Sequence, residues 1–162
     1  FRAYEHAFMM MAQVSGRAGR KGARGKVLLQ TKNKDLPVIR QVVENDYEGF
    51  FKALLDERKM FSYPPFYRLV YVFLRHRYEQ VVETAAVELG SRLRQGLGER
   101  VLGPDKPSIA RVKNLYIRKI VIKLENGIDN QAVRQYLRSV QQQLLQDKRY
   151  AALQMYYDVD PM

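Results

Sequence analysis

Apolar residues in the first sixty positions recur at three- and four-residue spacing. Ala7, Phe8, Met10, Met11 and Val14 follow this period and predict a helix over 5–13, ended by Gly16 and Gly19. Lys26 to Thr31 predict a strand. Two short helices are expected over 36–45 and 47–59, the second with Phe50, Phe51, Leu54 and Leu55 on one side. Ser62-Tyr63-Pro64-Pro65 then breaks helix, because proline lacks an N–H and pushes the preceding residue out of the helical region. A domain boundary belongs here.

Beyond it the period changes to that of strands. Residues 68–75 hold Leu69, Val70, Tyr71, Val72, Phe73 and Leu74, a strand with both faces buried. A helix over 78–97 carries Val81, Val82, Ala85, Leu89 and Leu93 at helical spacing. Val101 opens a second strand, interrupted by Gly103-Pro104, and 109–113 with 116–124 form a hairpin about Asn114. Asp129 or Asn130 caps a helix bearing Val133, Leu137, Val140 and Leu144. Leu153, Met155, Tyr157 and Val159 alternate in a last strand. The order βαββαβ predicts an α+β, ferredoxin-like domain: an antiparallel sheet with two helices on one face and the other face open. Along 119–124, Ile120, Ile122 and Leu124 point one way, and Lys119, Val121 and Lys123 the other.

Charge changes the picture next. The chain of 162 residues carries 28 Lys and Arg against 17 Asp and Glu, a net charge of +11. Such a balance favours polyanionic partners, nucleic acid first. Between Gln13 and Lys34, Arg17, Arg20, Lys21, Arg24, Lys26 and Lys32 have no acid among them. Arg111, Lys113, Arg118, Lys119 and Lys123 form a second acid-free cluster. All five are candidate phosphate contacts; on an open sheet face Lys119 and Lys123 suit phosphates, and Tyr116 near the hairpin suits stacking on a base. Solvated faces and guarded strand edges are the plainer explanation for such charge. No glycine–aromatic consensus of RNA-recognition modules is present.

Other chemistry is missing from the sequence. There is no cysteine, so neither a disulfide nor a thiolate metal site exists in this chain. His6 and His76 stand apart without ligand company, and Asp158 with Asp160 reads as the outward edge of a strand. No H-E-x-x-H or G-x-S-x-G occurs, so no independent active site and no metal site are expected. No apolar run approaches the length of a membrane span, and no signal peptide is recognisable. A cytoplasmic setting is the expectation, and the first residue, Phe1, fits a piece of a longer protein.

Gln13-Val14-Ser15-Gly16-Arg17-Ala18-Gly19-Arg20 reads Q-x-x-G-R-x-G-R. Guanidinium groups are always charged, and their planar forks match phosphate oxygens. An arginine–glycine segment is the rival reading, but only four glycines recur and an expected strand follows at once. Nothing else here holds a nucleotide: Gly25-Lys26 is followed by Val27, so no phosphate-binding loop forms.

The string is similar to motif VI of superfamily 2 helicases. With Lys26-Val27-Leu28-Leu29-Gln30-Thr31, Tyr63-Pro64-Pro65-Phe66, Val101-Leu102-Gly103-Pro104 and Asp158-Val159-Asp160-Pro161, the whole chain resembles the PriA family of replication-restart helicases. This resemblance implies an ATP-dependent helicase of the primosome, moving 3′ to 5′ on DNA and recognising abandoned forks. It implies ATP and Mg2+ bound mainly by a first RecA-like lobe outside this chain, and zinc held by a cysteine-rich insertion also outside it. Arg20 would be the arginine finger, with Arg17 and Gln13 sensing nucleotide. Forked or single-stranded DNA, single-stranded DNA-binding protein and primosome proteins are the implied partners. Residues 1–35 would end the second RecA-like lobe, 36–65 would link, and 66–162 would form the DNA-binding domain. By itself the chain would then not hydrolyse ATP. A non-catalytic nucleic-acid-binding adaptor, or a protein-docking domain, is the alternative.

Overall fold

The computed structural model describes residues 2–18 and 25–161. It divides into two units, 1–61 and 62–162. The first unit holds three helices: α1 (Ala3–Ser15), α2 (Pro37–Val43) and α3 (Tyr47–Met60). Their small core is Phe8, Val38, Phe50 and Leu54, with Phe8 and Phe50 stacked at 4.2 Å between ring centroids. The Asp46 side chain caps α3 by accepting from the Gly49 N–H, and Pro37 starts α2 where its missing N–H leaves nothing unsatisfied.

The strand expected over Lys26–Thr31 does not form. Its side chains have strand propensity, but a strand exists only through a ladder with a neighbour, and no described segment pairs with it. Leu28 stands 85% exposed, as an unpaired segment leaves it.

The second unit contains β1 (Tyr67–His76), α4 (Glu79–Leu97), β2 (Val101–Asp105), β3 (Arg111–Val112), β4 (Leu115–Glu125), α5 (Asn130–Leu145) and β5 (Gln154–Val159). The sheet order is β2-β4-β1-β5, antiparallel throughout, with the short β3 also pairing β4. This is the ferredoxin-like βαββαβ arrangement expected from the alternation of elements. β1 and β4 lie at its centre, in register from Tyr67 opposite Glu125 to His76 opposite Tyr116.

Side-chain alternation then sorts the sheet into two faces. Val70, Val72 and Leu74 of β1 and Ile120, Ile122 and Leu124 of β4 join Val82, Leu89 and Leu93 of α4 and Leu137, Val140 and Leu144 of α5 in one core. Burying one aliphatic side chain of this kind contributes about 1.5–3 kcal/mol, so the helix-facing side holds most of the stability. Asp129 is the residue that caps α5, accepting from the N–H groups of Gln131 and Ala132. The β3–β4 turn places Lys113 at φ 47° and Asn114 at φ 63°, the pair of left-handed residues that a two-residue hairpin turn requires. Gly103 interrupts β2 at φ 90°, and the register between β2 and β4 shifts there.

Candidate nucleic-acid interface

The face of the sheet turned away from α4 and α5 has a different composition. On β1 it presents Tyr71, Phe73 and Arg75, and on β4 it presents Lys119, Val121 and Lys123. Register sets Phe73 beside both Lys119 and Tyr156 of β5. The side chains form two runs of contacts. Lys123 Nζ lies 4.2 Å from the centre of the Tyr63 ring, and Lys119 Nζ lies 4.7 Å from that of Tyr71. Tyr71 meets Phe73 edge to face at 6.2 Å, and Phe73 stacks on Tyr156 at 4.9 Å with the planes 14° apart. The Arg75 guanidinium sits 4.5 Å from the Tyr156 ring centre and donates from Nη2 to the Tyr156 hydroxyl at 2.6 Å.

Three of these contacts place a cation against the electron-rich face of an aromatic ring, which holds long side chains in place with their charge still available. All these residues are half-buried rather than fully exposed. Partial burial lowers the ammonium pKa of Lys123 below its ordinary value, because the charged form loses hydration. Burial likewise raises the Tyr71 hydroxyl, with Tyr63 and Asp158 adding to the shift.

The residues singled out from the sequence separate into three groups. Lys119 and Lys123 lie on this open face. Arg111 and Lys113 sit exposed at the β3–β4 hairpin, where Arg111 lies 4.8 Å over the Tyr116 ring and bonds the Asn114 side chain. Tyr116 and Arg118 belong to the opposite face, which corrects Tyr116 as a ring on the open face and Arg118 as a candidate phosphate contact. Tyr116 packs against the helix-side core. Arg118 is 2% exposed, with Nη2 donating to Glu79 at 2.8 Å and Nε to Glu83, both on α4. The reason is register: both residues share the parity of Ile120 and Ile122, and Arg118 reaches carboxylates instead of solvent. Arg75, Tyr71, Phe73, Tyr63 and Tyr156 were missed. The signal for three of them was present, since β1 alternates aliphatic Val70, Val72 and Leu74 with Tyr71, Phe73 and Arg75.

In the first unit, Gln13 lies exposed in the last turn of α1 and Arg17 lies exposed in the turn that follows. Gly16 continues the helical conformation at φ −66°, and the Arg17 N–H donates to the Val14 carbonyl at 3.1 Å. Both side chains leave the same end of α1 with their donors facing solvent, which suits phosphate oxygens. Arg20 lies outside the described residues. His76 is buried, its Nδ1 accepting from the Tyr78 N–H, and among the described residues no group of His, Cys, Asp or Glu is arranged to hold a metal ion.

Residues 59–162 match the family described as primosomal protein N C-terminal domain. Replication restart protein PriA of Bacillus subtilis is 35% identical over 125 residues, covering 76% of this chain and 16% of that protein. The Thermotoga maritima PriA is 32% identical over 119 residues, covering 74% of this chain and 16% of the relative. The Haemophilus influenzae PriA is 28% identical over 163 residues, covering 99% of this chain and 22% of the relative. The chain thus spans about a fifth or less of the length of these relatives. The matched residues contain the whole antiparallel sheet with its lysines and aromatic rings, and the chain belongs to the primosomal protein N C-terminal domain family.

Proposed function

We propose that this chain is the C-terminal portion of an ATP-dependent 3′–5′ DNA helicase that acts in replication restart in the cytoplasm. Its second unit would hold DNA at the fork through the open face of the sheet. The observation that carries this reading is the set of three cations, Lys119, Lys123 and Arg75, each seated against an aromatic ring on one sheet face. Phosphates dominate nucleic-acid affinity, and cations held in a row on a rigid sheet meet them with little loss of side-chain freedom.

The first unit would contribute to the nucleotide site. Gln13 and Arg17 are exposed at one end of α1, where their donors fit a triphosphate, and Arg20 follows in the same motif. ATP with Mg2+ would supply the driving reaction, bound mainly by parts of the protein outside this chain. Here Arg20 acts as the finger to the γ-phosphate, while Arg17 and Gln13 position it.

A second reading, docking of a protein partner, is favoured by one further feature. A groove of about 370 Å³ runs between β5 and α5, with Val133, Leu137 and Tyr157 along its floor and Arg68, Arg134 and Arg138 on its rim. Apolar floor and basic rim suit an acidic segment with an apolar anchor, the chemistry expected of the acidic tail of single-stranded DNA-binding protein. Both roles are compatible, since the groove and the open face use different residues.

The experiment is binding of the chain to a forked DNA, a linear duplex and a single strand, each across a salt series. Preference for the fork or the single strand with a steep salt slope supports the DNA reading. Weak and equal binding to all three leaves protein docking as the role of the unit.

A further inference from the structure

The open face holds more than charge, and its arrangement specifies the form of nucleic acid it takes. We infer that β1 and β4 form a lane for an unpaired strand, whose bases stack at Tyr71, Phe73 and Tyr156 while its phosphates meet Lys119, Lys123 and Arg75. This rests on the proposed DNA-binding role of the second unit and adds to it the single-stranded state of the ligand and the residues that read it.

Three observations carry the inference. First, cations and rings share the same face, with contacts from Tyr63 to Lys123 and from Lys119 through Tyr71, Phe73 and Tyr156 to Arg75. A duplex keeps its bases stacked inside and offers a protein face mainly phosphates, so half-exposed rings would add nothing to duplex binding. An unpaired strand offers both phosphates and base planes. Second, while Glu125 at the end of β4 is paired with Arg100, Asp105 of β2 stands opposite Lys119 and Asp158 of β5 opposite Tyr71, both on the flanking strands. Between them, the open-face positions 69–75 of β1 and 117–123 of β4 carry three cations and no acid. A polyanion is therefore attracted along the two central strands and repelled from both flanks. Third, the side chains are already ordered by their mutual contacts, so little freedom remains to be lost on binding. Lys119 and Lys123 are four residues apart, about 13 Å along the strand, enough for roughly two or three bases.

The test compares a fluorescein-labelled oligothymidine, an abasic oligonucleotide of the same length and charge, and a duplex, all binding the full chain. The expected result is that the abasic strand binds at least about fivefold more weakly than oligothymidine, the loss of one stacked base. Phe73→Leu should weaken oligothymidine binding by a similar factor and leave abasic binding unchanged, with far-UV circular dichroism confirming the fold. The abasic comparison requires no variant, so a Phe73→Leu chain that fails to fold leaves the test intact. Equal binding of abasic and thymidine strands, both with a steep salt slope, overturns stacking while the basic face stands. A duplex that binds as tightly as oligothymidine overturns the single-stranded assignment. Absence of binding to every oligonucleotide overturns both this inference and the DNA-binding reading beneath it.

Discussion

Arg118 donates from Nη2 to Glu79 at 2.8 Å, tying the central strand β4 to the first turn of α4. Glu83, one turn further along α4, accepts a hydrogen bond from Nε, so one guanidinium serves two carboxylates. Hydrogen bonds from Arg118 and then Lys106 hold the Glu79 carboxyl below its ordinary pKa. The arginine is 2% exposed, whereas the side chains of Glu79 and Glu83 are 46% and 45% exposed. Removing the arginine leaves carboxylates that water can reach, but removing the carboxylates leaves a buried charge alone. Arg118→Met should therefore lower stability by about 1–3 kcal/mol, and the double variant Glu79→Gln, Glu83→Gln should lower it further. Urea denaturation of the two variants checks the order.

Lys119 and Lys123 are the sequence-derived candidates that the sheet places on its open face. Changing both to Ala should reduce the slope of log K against log salt by about 1.4 for a single strand, two phosphate contacts at about 0.7 each. Arg118→Met, folded, should leave that slope unchanged. Fluorescence anisotropy over a salt series distinguishes the two surfaces.

Arg17 stands exposed just beyond α1, away from any core contact. In a full-length PriA-type protein carrying this segment, Arg20→Ala should lower the turnover of ATP on the order of 10³-fold or more, and Arg17→Ala should lower it by less. Binding to forked DNA without nucleotide should be retained. A steady-state ATPase assay beside a DNA-binding titration separates catalysis from DNA capture.

Tyr157 supplies a pH-dependent prediction. Burial pushes its hydroxyl up to about 12 from an ordinary value of 10.0, so the folded state holds the proton more tightly than the unfolded chain. Its stabilising effect is complete below pH 10 and is lost as pH rises from 10 through 12. Tyr157→Phe should flatten the alkaline fall in stability across that window. Tyr71 and Tyr150 are also raised, so part of the fall should persist. Urea midpoints measured across the alkaline range test this.

Much of the second unit was legible because its elements are locally self-consistent. Helical spacing in α4 and α5, the Asp129 cap and the turn at Asn114 each depend on neighbours in sequence. What the chain concealed was long-range pairing. Residues 26–31 have the composition of a strand and no ladder, while β1 reads as doubly buried because Tyr71 and Phe73 resemble core residues until their register is known. Arg118 was misplaced for a related reason. Charge type suggested solvent, but its parity with Ile120 and Ile122 put it under α4, where Glu79 and Glu83 receive it. The open-face position of Lys119 and Lys123 was readable from that same parity. The rings between them became visible only when β5 was laid beside β1.

The pairing of β1 with β5 also has a kinetic consequence. The Leu69 N–H donates to the Asp160 side chain across 91 residues of sequence, and the other neighbour of β1 is β4, beyond a long helix. Contacts so distant require large loops to close before they stabilise anything, which places folding toward the slow end for a domain of this size. Until β4 and β5 arrive, β1 is an unpaired ribbon of bulky residues, open to partners of the wrong kind. Arg68 and Arg75 within that ribbon, and Lys119 and Lys123 within its future neighbour, give the nascent strands a mutual repulsion against self-association. The cations that the finished sheet displays also act as gatekeepers while it is being made.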